Sequence, residues 1–184
     1  MPDLEYYLSV DVETAGPYPA GYALLSIGAC AVAKPECTFY VELQPDREGS
    51  WPEALRISGL ELERLKERGQ PPGAAMQAFA DWVAEVTSGG QQPVFVAFNA
   101  PFDWMFVNDY FHRYLGYNPF GHSALDMKAF FMGLRGVAWS RTGMDAVARA
   151  YADKLSLSHQ ALQDALDQAE LFKQMLAEAR KNKE

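Results

Sequence analysis

Cysteine is scarce in this chain: Cys30 and Cys37 are the only two among 184 residues. They share no metal-ligand spacing, which excludes a cysteine-bound metal and points to reduced thiols in a cytoplasmic protein. Long hydrophobic runs are missing too. The longest apolar stretch, residues 23–33, contains Ser26 and Gly28 and is too short to cross a bilayer, so no membrane partner is expected. The N-terminus has no basic leader, only Asp3 and Glu5, so no signal peptide is expected. No repeat, low-complexity tract or linker interrupts the sequence, and its length suits one domain over residues 1–184. Positive charge is in deficit: 16 Lys and Arg stand against 24 Asp and Glu, a formal net charge of −8. That balance excludes a protein that grips long nucleic acid by bulk electrostatics. Any nucleic acid bound here is expected to be short, or held at one end.

What is present is a globular composition, 49% hydrophobic and 22% charged, sufficient for a sizeable core. Residues 4–12, 23–32 and 38–43 read as strands. A turn-rich loop follows over 45–52, then a helical stretch over 54–68 that breaks at Gly69 to Gly73. Met76, Phe79, Ala80, Val83 and Val86 recur at helical spacing. Residues 93–98 form a short continuous apolar run, as in a central strand buried on both faces. A helix over 102–115, a short strand over 123–126, a helical turn through Phe130 and Leu134, a loop over 133–143 and a helix over 144–152 come next. The last helix is expected over about 158–180. Strands followed by strand–helix alternation predict an α/β fold, a central mixed sheet flanked by helices.

The chemistry lies in charge placed where charge is costly. Asp11 and Glu13 end the apolar run Leu8-Ser9-Val10-Asp11-Val12-Glu13. On a strand they point to one face, with Cα atoms roughly 6.5–7 Å apart. Unpaired buried carboxylates are unfavourable, so a divalent cation is the expected compensation. Asp103 follows the second apolar run at a strand-to-helix corner, where a helix-capping role is the simpler alternative. His159 and Asp164 are five residues apart, roughly 140° around a continuous helix. Both can face one centre only if His159 lies in the loop or first turn ahead of Asp164. Asp167 reads as solvated. Four carboxylates from three segments with a histidine nearby are apparatus for hydrolysing a phosphodiester.

The stretches SVDVETAG, FVAFNAPFDWMF and SHQALQDALDQAELF resemble the three motifs of the DEDDh 3′→5′ exonucleases, of the proofreading-exonuclease and RNase T superfamily. WPEALRISGL is similar to the segment these proteins carry after the third strand. The resemblance implies a ribonuclease H-like fold and two divalent ions, Mg²⁺ or Mn²⁺. It makes Asp11, Glu13, Asp103 and Asp164 the metal ligands and His159 the general base. It also implies that Thr14 and Ala15 contact the 3′-terminal nucleotide through their backbone, that Asn99 and Phe102 shape the second motif, and that Asp126 is structural. The chain departs from the common pattern at Ala97-Phe98 (often Gly-His), Ser26 (often Glu) and Gln163 (often Asp).

Tyr18, Trp104, Phe106, Trp139 and Tyr151 are aromatic candidates for base stacking, Trp104 and Trp139 foremost; aromatics at helical spacing are otherwise core. Lys173, Arg180, Lys181 and Lys183 read as solvated charges near a helix C-terminus. The expected partner is the 3′ end of single-stranded DNA or RNA, and the sequence does not distinguish the two. It also leaves open a homodimer, a short-oligoribonucleotide exoribonuclease, and a silent binding module on the same fold.

Overall fold

The computed structural model describes residues 4–87, 89–151 and 158–182. Five strands form one sheet in the order β3-β2-β1-β4-β5. β1 (Glu5–Thr14), β2 (Leu24–Ala31) and β3 (Lys34–Glu42) are successive antiparallel neighbours. β4 (Gln92–Ala97) and β5 (Ala124–Asp126) run parallel to β1. The ends of β1, β4 and β5 therefore open on one edge of the sheet, the place where open α/β sheets position ligands.

Between the strands lie α1 (Pro52–Ser58), α2 (Leu62–Arg68), α3 (Pro72–Val86), α4 (Ala100–Leu115), α5 (Met127–Arg135), α6 (Met144–Tyr151) and α7 (Ala161–Lys181). Leu8, Val10 and Val12 of β1 pack with α3 and α4 through Phe79, Phe106 and Phe111. The opposite face packs on α5, α6 and α7 through Phe131, Val147 and Phe172. Alternation along β1 sends Ser9, Asp11 and Glu13 away from the first of these cores.

Several boundaries differ from expectation. β1 continues to Thr14, so Asp11 and Glu13 lie within the strand; both pair with β2, opposite Gly28 and Ser26. β3 starts earlier, at Lys34, because residues 32–33 make a tight hairpin turn. The helical stretch 54–68 is two helices, since Gly59 at φ 67° ends α1 in the left-handed conformation. Pro72 opens α3 instead of breaking it, as proline fits a helix's first turn. The loop over 133–143 loses three residues to α5 and contains a 3₁₀ turn, Trp139–Arg141. α7 begins at Ala161, leaving Ser158, His159 and Gln160 in the loop before it. Ala152 and Lys183 fall outside the described residues.

Candidate active site

Three elements deliver the four carboxylates to the open end of β1. Asp11 and Glu13 come from the strand. Asp103 comes from the first turn of α4, which starts immediately after β4 because Asn99, at φ 70° and ψ 45°, turns the chain sharply. Asparagine is among the few residues that tolerate this conformation. Asp164 comes from the first turn of α7. Asp103 and Asp164 are 5% and 2% exposed, and Asp11 and Glu13 are half-buried.

The N-cap position of α4 is held by Asn99, and Asp103 reaches beyond its own helix. Its Oδ1 accepts from Val12 N at 3.1 Å, tying α4 to β1. Asp164 instead organises the segment just ahead of its own helix. Its Oδ1 accepts from Ser158 N (2.7 Å) and Ser158 Oγ (2.8 Å), and its Oδ2 from His159 N (2.9 Å). The carboxylate thus shapes the loop that carries the histidine. His159 sits there at φ 55°, and the expected escape from the 140° separation is realised. Glu13, His159 and Asp164 bring ligand atoms within 4.8 Å of one another.

Burial, followed by the charges of Asp103, Glu13 and Asp164, holds the Asp11 carboxyl well above the usual range. Burial also raises Asp103 strongly, against the opposing pull of the Val12 amide. Burial and Asp164 push Glu13 up to about 7. Among the described residues, no Lys or Arg lines the cleft of about 260 Å³ that these acids share with Thr14, Ile57, Asn99 and Phe102. A concentration of acids with no Lys or Arg among them, offering hard oxygen donors, fits the binding of divalent metal.

Thr14, Asn99 and Phe102 reach the cleft as expected. Ala15 does not. Its N–H donates to Ala23 O and its carbonyl accepts from Trp51 N, both at 2.8 Å, and its side chain is buried against Leu25 and Leu65. Its amide and carbonyl are both engaged within the fold. Trp104 also turns away, half-buried with its ring edge-on to Phe95 at 5.3 Å against the core, because it stands 100° around α4 from Asp103. Phe106 is fully buried. The Tyr151 hydroxyl donates to Glu178, and Tyr18 packs edge-on to Tyr22. Asp126 has a structural position: its carboxylate accepts from Ala100 N and Ala129 N, both at 2.7 Å, joining the starts of α4 and α5. Lys173, Arg180 and Lys181 are exposed.

Two residues escaped the sequence reading. Gln168, one turn beyond Asp164, donates from Nε2 to Asp11 Oδ1 at 2.7 Å and accepts at Oε1 from Phe98 N at 2.9 Å. Its available signal was the i+4 spacing from Asp164, which puts both on one helix face. Gly28, opposite Asp11 in β2, is where α7 comes down on the sheet: a Cβ there would lie 2.1 Å from Ala161 C and 2.2 Å from Leu162 N.

A mixed sheet with helices on both faces, ending in this acidic cleft, defines a nuclease of the ribonuclease H-like fold. The sequence matches the exonuclease family RNase_T over residues 8–172, and the chain belongs to that family. Metal dependence is typical of its members. The chain is 44% identical over 171 residues to the 3′-5′ DNA exonuclease Cap18 of Escherichia coli, covering 93% of this chain and 91% of that protein. Among solved structures, the nuclease domain of 3′hExo, a DEDDh family member bound to rAMP, superposes with a TM-score of 0.78 at 16% identity, covering 94% of this chain and 92% of that one. E. coli exonuclease I in complex with a dT13 oligonucleotide gives 0.70 at 19% identity, covering 97% and 42%.

Proposed function

We propose that this protein hydrolyses single-stranded DNA stepwise from a free 3′-OH, releasing nucleoside 5′-monophosphates, with two divalent ions, Mg²⁺ or Mn²⁺, held by Asp11, Glu13, Asp103 and Asp164. The observation that carries the reading is the meeting of those carboxylates with His159 in a cleft whose described lining holds no Lys or Arg. DNA is preferred over RNA as substrate because the 44%-identical relative is a DNA exonuclease. The ions supply countercharge and Lewis-acid polarisation of the scissile phosphate.

The chain's own residues do the rest. The cleft of about 260 Å³, lined in part by Ala54 and Ile57 of α1, has room for a single terminal nucleotide next to Thr14 and Phe102. His159, exposed at the cleft mouth on a loop fixed by Asp164, takes the proton of the attacking water. Gln168 fixes the orientation of Asp11, the acid with the most acidic neighbours. A 3′-phosphate would bring extra negative charge against these acids and is expected to block the reaction. A reducing, cytoplasmic setting accords with the two free cysteines, of which Cys30 is buried with its thiol pushed up to about 12.

The test is metal dependence on a 5′-labelled single strand. Chelation should abolish the ladder of shortened products, and Mg²⁺ or Mn²⁺ should restore it. Full activity in excess EDTA would refute the reading. Running DNA and RNA in parallel decides between the sugars.

A further inference from the structure

A terminal nucleotide filling the cleft leaves the rest of its strand to depart past one of the rims. Two routes adjoin the carboxylates. One is a cavity of about 470 Å³ beyond Glu13 and His159, lined in part by Ser26, Tyr40, Glu42 and Arg64. Among the described residues its one Lys or Arg is Arg64, and both Glu42 oxygens already bind that guanidinium at 2.7 Å. With Glu13 added, the described lining of that route is net negative, and its one cation is already paired.

The other route passes Asn99. Lys128, in the first turn of α5, places Nζ 3.5 Å from Asn99 Oδ1, next to the cleft. The same ammonium lies 4.5 Å from the centroid of the Trp139 ring. Trp139 is 54% exposed, the large apolar side chain of the 3₁₀ turn, yet its backbone is firmly held: its carbonyl accepts from Thr142 Oγ1 at 2.8 Å and Thr142 N at 3.1 Å. The backbone that carries Lys128 is held relative to the cleft, because Asp126 bonds the Ala100 and Ala129 amides in the first turns of α4 and α5. An exposed indole on rigid backbone, held by a cation–π contact with a lysine at the rim of an acidic cleft, combines a stacking face with a phosphate contact.

We infer that Lys128 and Trp139 bind the nucleotide on the 5′ side of the scissile phosphate, the base stacking on the indole and the phosphate meeting the ammonium. The inference rests on the nuclease function proposed above. It gives an acidic enzyme a local grip on its substrate strand without a basic stripe.

The test compares two substrates for the same site: a 5′-labelled oligodeoxynucleotide, and thymidine 5′-(p-nitrophenyl phosphate), in which nitrophenolate replaces everything beyond the scissile phosphate. Trp139→Ala should raise KM for the oligonucleotide roughly 5- to 100-fold and leave hydrolysis of the nitrophenyl ester unchanged. Trp139→Phe should recover most of the loss. Lys128→Ala should also raise the oligonucleotide KM selectively, and Lys128→Glu more so. Tyr40→Ala, on the opposite route, should change neither substrate.

If both Trp139→Ala and Lys128→Ala leave the oligonucleotide KM unchanged, or if Tyr40→Ala shows the selective loss instead, the assignment is overturned. Equal loss on both substrates in Trp139→Ala and Lys128→Ala would also overturn it, since the residues would then be supporting the fold or the cleft. A wild-type protein that cleaves neither substrate would refute the nuclease function itself, and this inference with it.

Discussion

Gln168 and Asp11, 157 residues apart in sequence, meet through a 2.7 Å hydrogen bond from Nε2 to Oδ1. The glutamine's other end holds Phe98 N, so one buried side chain joins α7, β1 and the end of β4. Asp11 therefore presents a defined free oxygen to the cleft. Replacing Gln168 with Leu should lower activity and raise the Mg²⁺ concentration needed, each about 10- to 100-fold, as for other residues that orient metal ligands. It should also cost about 1–3 kcal/mol of stability, because Phe98 N loses its partner. A metal titration followed by activity, paired with thermal melting, checks both; an unshifted Mg²⁺ requirement would remove Gln168 from the site.

Gly28→Ala should damage the site from the opposite side of Asp11. The new Cβ would fall on the backbone of Ala161 and Leu162, which cannot swing aside as a side chain would. α7 must shift, and Asp164 and the His159 loop with it. The expected outcome is a loss of about 1–3 kcal/mol in stability together with a loss of activity out of proportion to it. Wild-type activity in a folded Gly28→Ala protein would contradict the close packing described.

Acidity should stabilise the metal-free protein. Glu13 is raised from its ordinary 4.5 to about 7, and Asp11 and Asp103 are raised as well. A carboxyl whose value is higher folded than unfolded binds its proton more tightly in the fold. Its stabilisation is full below the unfolded value and is lost as pH rises through the folded one. For Glu13 that window runs from about 4.5 to about 7. Melting in EDTA should therefore fall across this range as pH increases, and saturating Mg²⁺ should flatten the dependence. A metal-free melting temperature that climbs with pH over the same interval would contradict the clustered acids.

Asp103→Asn tests the site without disturbing its shape. The amide oxygen can still accept from Val12 N, so folding should persist, and the metal-free protein should melt no lower than wild type, since a neutral amide replaces an acid crowded by Glu13 and Asp126. Turnover should nearly vanish. Retained activity with reduced stability would return Asp103 to a purely structural role.

His159→Ala should slow hydrolysis by about 10²–10⁴-fold, the usual contribution of a positioned acid–base group. Because Asp164 grips the loop through the Ser158 and His159 amides, which the substitution keeps, calorimetric Mg²⁺ binding should survive. An unchanged rate would exclude His159 as the base.

The acids that meet in the cleft were legible in part from burial, because Asp11 and Glu13 interrupt an apolar run and Asp103 follows one, whereas Asp164 lies in a polar stretch and drew notice through the resemblance of its motif. Asp126 was likewise correctly read as structural. The sheet followed from strand periodicity, although the β2–β3 hairpin started earlier than read, at the turn over 32–33, and helix bounds drifted where Gly59 and Pro72 act through local dihedrals that composition does not reveal. What could not be read were relationships between distant segments. Ala15 resembles a pocket residue by position, yet its amide is consumed by Ala23 and its side chain by the α2 side of the core. Trp104 adjoins Asp103 in sequence but faces Phe95. Gln168 and Gly28 carry no charge to draw notice, and their importance arises only when α7 meets β1 and β2.

The most direct measurement sets a 5′-labelled linear single strand against its circular form, each with Mg²⁺ and with EDTA. A cleft that holds one terminal nucleotide against metal-bound carboxylates predicts a ladder shortening from the 3′ end of the linear strand, absent in EDTA, and an intact circle. Efficient cutting of the circle, or an undiminished ladder in EDTA, would contradict it.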